Sequence, residues 1–92
     1  RIMKKCIITV VGKDTVGILA KVSTKCAEYN VNVDDVTQTV MQDIFTMIMM
    51  SDVTDCTVSF GEFSDAMKKL GEEMGMQVQV MHEDIFNSMH RS

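Results

Sequence analysis

No stretch of this sequence concentrates positive charge. Arg1 and Arg91 are the only arginines, and nine Lys plus Arg face thirteen Asp plus Glu, a formal charge of -4. A phosphate-backbone binder needs a clustered positive field, so direct nucleic-acid binding is excluded as the expectation. No apolar run approaches the roughly 18 residues of a membrane span, and the N-terminus lacks the apolar core of a signal peptide. The reading is a soluble, unexported chain with no membrane partner. Cysteine is scarce too: Cys6, Cys26 and Cys56 are odd in number and lack Cys-x-x-Cys spacing. Neither a disulfide framework nor a zinc site follows, and a cytoplasmic location is expected. His82 and His90 stand eight apart, no compact ligand spacing, so no metal site is expected. With no nucleophile beside an assigned base and no cofactor fingerprint, the chain reads as a non-enzyme without a cofactor.

What is present is a core. At 92 residues and 46% hydrophobic content, the chain suits one domain, taken as residues 3–92. Cys6 to Val11 is apolar on both faces, the mark of a central strand. From Val16 to Tyr29, the apolar residues Val16, Leu19, Ala20, Val22, Cys26, Ala27 and Tyr29 fall mostly on one helical stripe, ended by Asn30. Val31, Val33, Val36 and Val40 suggest a half-exposed edge strand. Its alternation shifts at Asp34-Asp35, as a bulge would make it. Ile44 to Val53 is again apolar on both faces, joined to the preceding strand by a hairpin at Met41-Gln42-Asp43.

Ser59-Phe60-Gly61-Glu62 has capping-box spacing, in which hydroxyl and carboxylate each satisfy a helix-start amide. The helix it opens carries a stripe of Phe60, Phe63, Met67, Leu70 and Met74. Gly75 stops it, and Gly71 weakens its last turn by roughly 1 kcal/mol. Met76, Val78 and Val80 alternate with Gln77 and Gln79 in a final strand, and Ile85, Phe86 and Met89 form an apolar patch on a short helical tail over 84–90. The order βαββαβ implies an α+β ferredoxin-like sandwich, a four-stranded antiparallel sheet with two helices on one face. The first and third strands belong in the middle. Ile7, Val11 and part of the methionine-rich strand then point away from the helices, and either the tail patch or a second subunit must cover them.

The loop Gly12-Lys13-Asp14-Thr15-Val16-Gly17-Ile18 feeds the first helix from the first strand. Amides at a helix start lack intrahelical partners and carry the positive end of the dipole, so a small anion is stabilised there without basic side chains. Other functions of this fold fail on residues. The loop has no cysteine pair for cuprous ion, Phe45 is the only aromatic on the first and third strands for stacking RNA bases, and no arginine lies in the first loop for phosphate.

Asp14-Thr15-Val16-Gly17-Ile18 and Tyr29-Asn30-Val31-Asn32-Val33 resemble the Asp-Arg-Pro-Gly-Leu turn and the helix-exit Gly-Val-Asn-Ile of the ACT domain family. With Gly12-Lys13-Asp14 and the ending Met81-His82-Glu83-Asp84-Ile85-Phe86-Asn87, the chain is similar to small stand-alone bacterial ACT proteins of the glycine cleavage system transcriptional repressor type. It departs from the family pattern at Val16, where Pro is usual. The resemblance implies a regulatory module that binds an amino acid or similar small molecule at the interface of a homodimer or higher homo-oligomer. Gly12, Asp14, Val16 and Gly17 of one subunit would line that site, with Asn32 of the same chain or its neighbour. Amides at Val16, Gly17 and Ile18 would receive the α-carboxylate, Asp14 would pair with the α-ammonium, and the Asn32 amide would both donate and accept.

Plainer roles stand beside these. Asp14 suits a helix cap, Gly17 suits packing or loop closure, Asn32 suits a solvated edge, and the methionines suit core filling. Cys56, in a polar loop, is the thiol expected to be exposed. The competing functional reading is a ligand-free interaction module that holds a regulatory protein partner through its open sheet face and tail.

Overall fold

A computed structural model describes residues 4–13 and 17–82. Its elements run β1 (Lys5–Gly12), α1 (Ile18–Glu28), β2 (Asn32–Met41), β3 (Ile44–Asp52), α2 (Phe60–Met74) and β4 (Gln77–His82). All pairings are antiparallel in the order β2-β3-β1-β4, so the two strands apolar on both faces are central and β2 is an edge. The register of β2 against β3 shifts between Val33 and Asp35, the bulge expected from the broken alternation. The hairpin turn places Gln42 at φ 56, a left-handed conformation that glycine would adopt without strain.

The helix-facing side of the sheet is the core. Cys6, Ile8 and Val10 of β1 and Phe45, Met47 and Met49 of β3 are buried there with Val78 of β4. Above them α1 buries Ile18, Val22 and Cys26, and α2 buries Phe63, Met67 and Gly71. Tyr29, just past α1, meets Phe63 edge-on at 5.9 Å between ring centres. The α1 stripe differs from the expected one. Its buried residues are spaced i, i+4, i+8, so Leu19 and Ala27, each one residue along and about 100° around the helix, face outward.

Both ends of α2 follow the sequence signals. The Ser59 hydroxyl accepts from the Glu62 amide at 3.2 Å, the hydroxyl half of the expected capping box, and Gly75 closes the helix at φ 71. Gly71 is no mere weak point. A Cβ there would lie 2.6 Å from Val78 Cγ2 and 2.9 Å from the Met76 carbonyl, so its lack of side chain lets α2 lie directly on β4.

On the face away from the helices, paired residues form rows: Met41 with Ile44; Thr39, Thr46, Val11 and Gln77; Thr37, Ile48, Thr9 and Gln79; Asp35, Met50, Ile7 and Met81. Burial changes along these rows. Ile7 is 1% exposed, whereas Val11 is 38%, Ile44 47% and Met41 72% exposed. The tail patch of Ile85, Phe86 and Met89 lies outside the described residues.

Candidate functional site

Strand β1 runs from Lys5 to Gly12 and delivers the chain to the loop before α1. Gly17 is the N-cap, at φ 73, and as a glycine it has no side chain with which to cap the helix. The helix therefore starts at Ile18, later than the Val16 expected from periodicity, because a left-handed glycine ends the loop. The first intrahelical bond is Lys21 N to Gly17 O at 2.9 Å. The amides of Ile18, Leu19 and Ala20 precede it and have no i-4 acceptor. Of the three donors expected from the sequence, Gly17 and Ile18 are at this end. Leu19 and Ala20 join them, and only the position of the glycine cap, one residue past the start of the periodic pattern, could have signalled that. Asp14 and Val16 lie outside the described residues.

The two glycines of the loop do different jobs. A Cβ on Gly12 would come within 2.8 Å of Met76 Cγ, so Gly12 makes room for the buried methionine just before the final strand. A Cβ on Gly17 would meet nothing within 4 Å. Gly17 is required by its backbone conformation, and the space above it is open. The Ile18 side chain is buried in the core, so only its amide faces this opening as a donor.

Asn32 lies elsewhere. Strands β1 and β2 both run antiparallel to β3, so both start at the same end of the sheet: Lys5 and Asn32 are each paired with Asp52. Gly12 is at the far end of β1, about 23 Å away at roughly 3.3 Å per residue. Within one chain the structure does not bring Asn32 to the loop. Instead Asn32 Nδ2 donates to Asp34 Oδ1 at 2.8 Å, and Asp34 Oδ2 receives the Lys5 ammonium. The bulge after Val33 and these bonds hold Asn32 at the rim of a cleft of about 260 Å³ lined by Ala27, Asn30, Val31, Asn32, Asp52 and Asp55. Asn30, in the left-handed region at φ 59, donates its side-chain amide to the Asp55 carbonyl at 3.1 Å and closes one wall.

Among the described residues, no group of three or more His, Cys, Asp or Glu side chains is arranged to hold a metal, and no helix is long and apolar enough to cross a membrane. All three cysteines are free thiols, and Cys56 is half-buried instead of exposed. Burial pushes Cys6 up to about 12 and Cys26 up to about 11, with neighbouring thiols adding to the shift.

Comparison with known proteins accounts for this arrangement. The model of the ACT domain family matches residues 4–81. The chain is 43% identical to a UPF0237 protein of Methanopyrus kandleri over 97% of its own length and 99% of that protein. It is 37% identical to an ACT domain protein from Streptococcus pneumoniae, with a TM-score of 0.80 over 90% of this chain and 93% of that one. A glycine cleavage system transcriptional repressor shares the fold at 19% identity and a TM-score of 0.71, covering 89% of this chain and 47% of the other. The fold order, the glycine-capped first helix and a match that spans nearly the whole sequence agree: the chain belongs to the ACT domain family.

Proposed function

We propose that this ACT domain is a non-catalytic amino-acid sensor that works as a cytoplasmic homodimer. The observation that carries the reading is the start of α1: first-turn amides that follow a glycine N-cap, which has no side chain to cap them and whose outer side is open space. Such a terminus suits an α-carboxylate. Asp14 and Val16 keep the parts the family resemblance gives them, Asp14 toward the ammonium group and Val16 as a further amide. The separation of about 23 Å between the loop and Asn32 supports the dimer. If both contact one ligand, each site takes its loop from one subunit and Asn32 from the other. Calorimetric titration against the twenty amino acids, with light scattering on the same sample, tests this. Saturable binding by one or two of them to a dimer is expected, lost in Gly17→Asp. Silence from a folded protein would overturn the sensor.

A second reading is favoured by the sheet. Val11, Ile44 and Ile48 are exposed on the open face, and Thr39, Met41, Gln42, Ile44 and Thr46 line a cleft of about 310 Å³ at the hairpin. A ligand-free interaction module would use this surface to hold a regulatory protein. Under that reading Gly17→Asp leaves partner binding intact and Ile48→Asp abolishes it.

A further inference from the structure

We infer that residues 83–92 fold back over the open face of the sheet and cover Ile7, so that the chain closes half of that face itself. Ile7 is 1% exposed, as sealed as the core, yet it stands on the other side of the sheet. Its neighbours Cys6 and Ile8 belong to the helix-facing cluster, and Ile7 does not. Ile48 stands on the same open face, one row along on the adjacent central strand, and is 36% exposed. Side chains on neighbouring strands stand beside one another and leave their tips uncovered, so strand pairing alone does not seal one isoleucine and leave the other open. The helices bury their apolar faces against the far side of the sheet, and the links at 29–31 and 53–59 pack Tyr29, Val31, Cys56 and Val58 against that same core. Among the described residues, no element crosses the face that Ile7 occupies.

The last strand delivers the chain to this spot. Strand β4 ends at His82, paired with Cys6, and Met81 is paired with Ile7 itself. Strand β1, by contrast, enters from beyond the sheet's end, where the Lys4 carbonyl accepts the Val53 amide at 2.8 Å. Residues 83–92 also carry the right chemistry. On a helix over 84–90, Ile85, Phe86 and Met89 fall within about 100° of arc. Glu83 and Asp84 stand at its start and His90 and Arg91 at its end, the order a helix dipole favours. Such a helix is about 10 Å long, two strand spacings of about 4.8 Å, and so reaches from Met81 over Ile7 to Met50. Both methionines are half-buried, and thioether side chains adapt well to the edge of an aromatic ring such as that of Phe86.

This cover divides the open face in two. At the His82 end, Ile85, Phe86 and Met89 seal the row of Met81, Ile7 and Met50. At the hairpin end, Val11, Ile48 and the cleft of about 310 Å³ beside Ile44 stay open to other molecules. A second copy cannot then sit on the whole face, because the chain's own C-terminal segment holds the row it would need. Amino-acid binding at α1 uses the other end of β1 and plays no part in this contact.

The test is nuclear magnetic resonance on the full chain with carbon-13 in the isoleucine methyl groups. The Ile7 δ1 methyl is expected to show Overhauser contacts to the Phe86 ring protons, and the Ile48 δ1 methyl none. In an equal mixture of labelled and unlabelled chains refolded together, isotope filtering is expected to assign those contacts to a single chain. Phe86→Ala should move the Ile7 methyl resonance and leave that of Ile48 in place; if this variant misfolds, the contacts in the unmutated chain decide alone. Contacts from Ile7 to Ile2 or Met3 in place of Phe86, contacts that the filter assigns to two different chains, or an Ile7 methyl that touches none of residues 83–92 would each overturn the inference.

Discussion

At the end of the sheet where β1 leaves, backbone amides and open space face outward; at the end where β2 enters, side chains have already paired with one another. Gly17 has nothing within 4 Å of where a side chain would stand, and as the N-cap of α1 it brings no side chain to cap the helix. Around Asn32, by contrast, Asp34 is shared by Asn32 and Lys5, Asp52 accepts from the Thr54 amide at 2.9 Å, and Asn30 closes on Asp55. The first end offers first-turn amides at the positive end of a helix dipole. The second is prearranged and presents a fixed amide. A sensor built from both needs one of each, and the sheet keeps them too far apart within one copy.

The largest expected effect falls on the close packing that separates the two ends. Gly71→Val drives a branched side chain into Val78 and the Met76 carbonyl, and a loss of about 3 kcal/mol or more is expected in urea unfolding. Gly12→Ala presses on Met76 and is expected to cost roughly 1–3 kcal/mol. Gly17→Ala meets no neighbour, so only backbone strain of about 1 kcal/mol is expected. Equal losses at Gly12 and Gly17 would erase the distinction between a packing glycine and an open one.

Alkaline pH probes the core under the Asn32 end. Cys6 and Cys26 hold their protons more tightly folded than unfolded, so their contribution is full below the ordinary thiol value of 9.0 and is lost as pH rises from there toward about 11 and 12. Stability is expected to fall by up to roughly 1.4 kcal/mol per pH unit for each thiol in that window. Denaturant midpoints at stepped pH measure it, and Cys26→Ala should flatten the slope. The smallest effect belongs to Asp34→Ala. It breaks partly exposed contacts to Lys5 and Asn32, and about 1 kcal/mol or less is expected. If the loss is much larger, the Asn32 end is structural and not poised for a ligand.

Much of this contrast was legible in the sequence, for local reasons. The alternation break at Asp34-Asp35 is a bulge, Ser59 and Gly75 bound α2, and apolar residues on both faces of β1 and β3 place them centrally. What escaped was long-range or a matter of one residue. Gly12 and Gly71 look like loop and helix-weakening glycines until Met76 and Val78, distant from Gly12 in sequence, are seen against them. Val16 belongs to the apolar periodicity, so the pattern alone starts α1 too early and sets Leu19 in the buried stripe. The separation of Asn32 from the loop was implicit in the topology. In βαββαβ order β1 and β2 run the same way, so the start of one cannot lie beside the end of the other.

That separation can be tested by mixing two defective proteins. Gly17→Asp spoils the loop and Asn32→Ala spoils the other half; unfolded together and refolded, they form mixed dimers in which one site joins an intact loop to an intact Asn32. Each variant alone is expected to show no calorimetric binding of the amino acid selected by titration, while the refolded mixture binds at about a quarter of the wild-type site number, as random twofold pairing requires. No binding in the mixture, or undiminished binding by Asn32→Ala alone, would contradict a site shared between two copies.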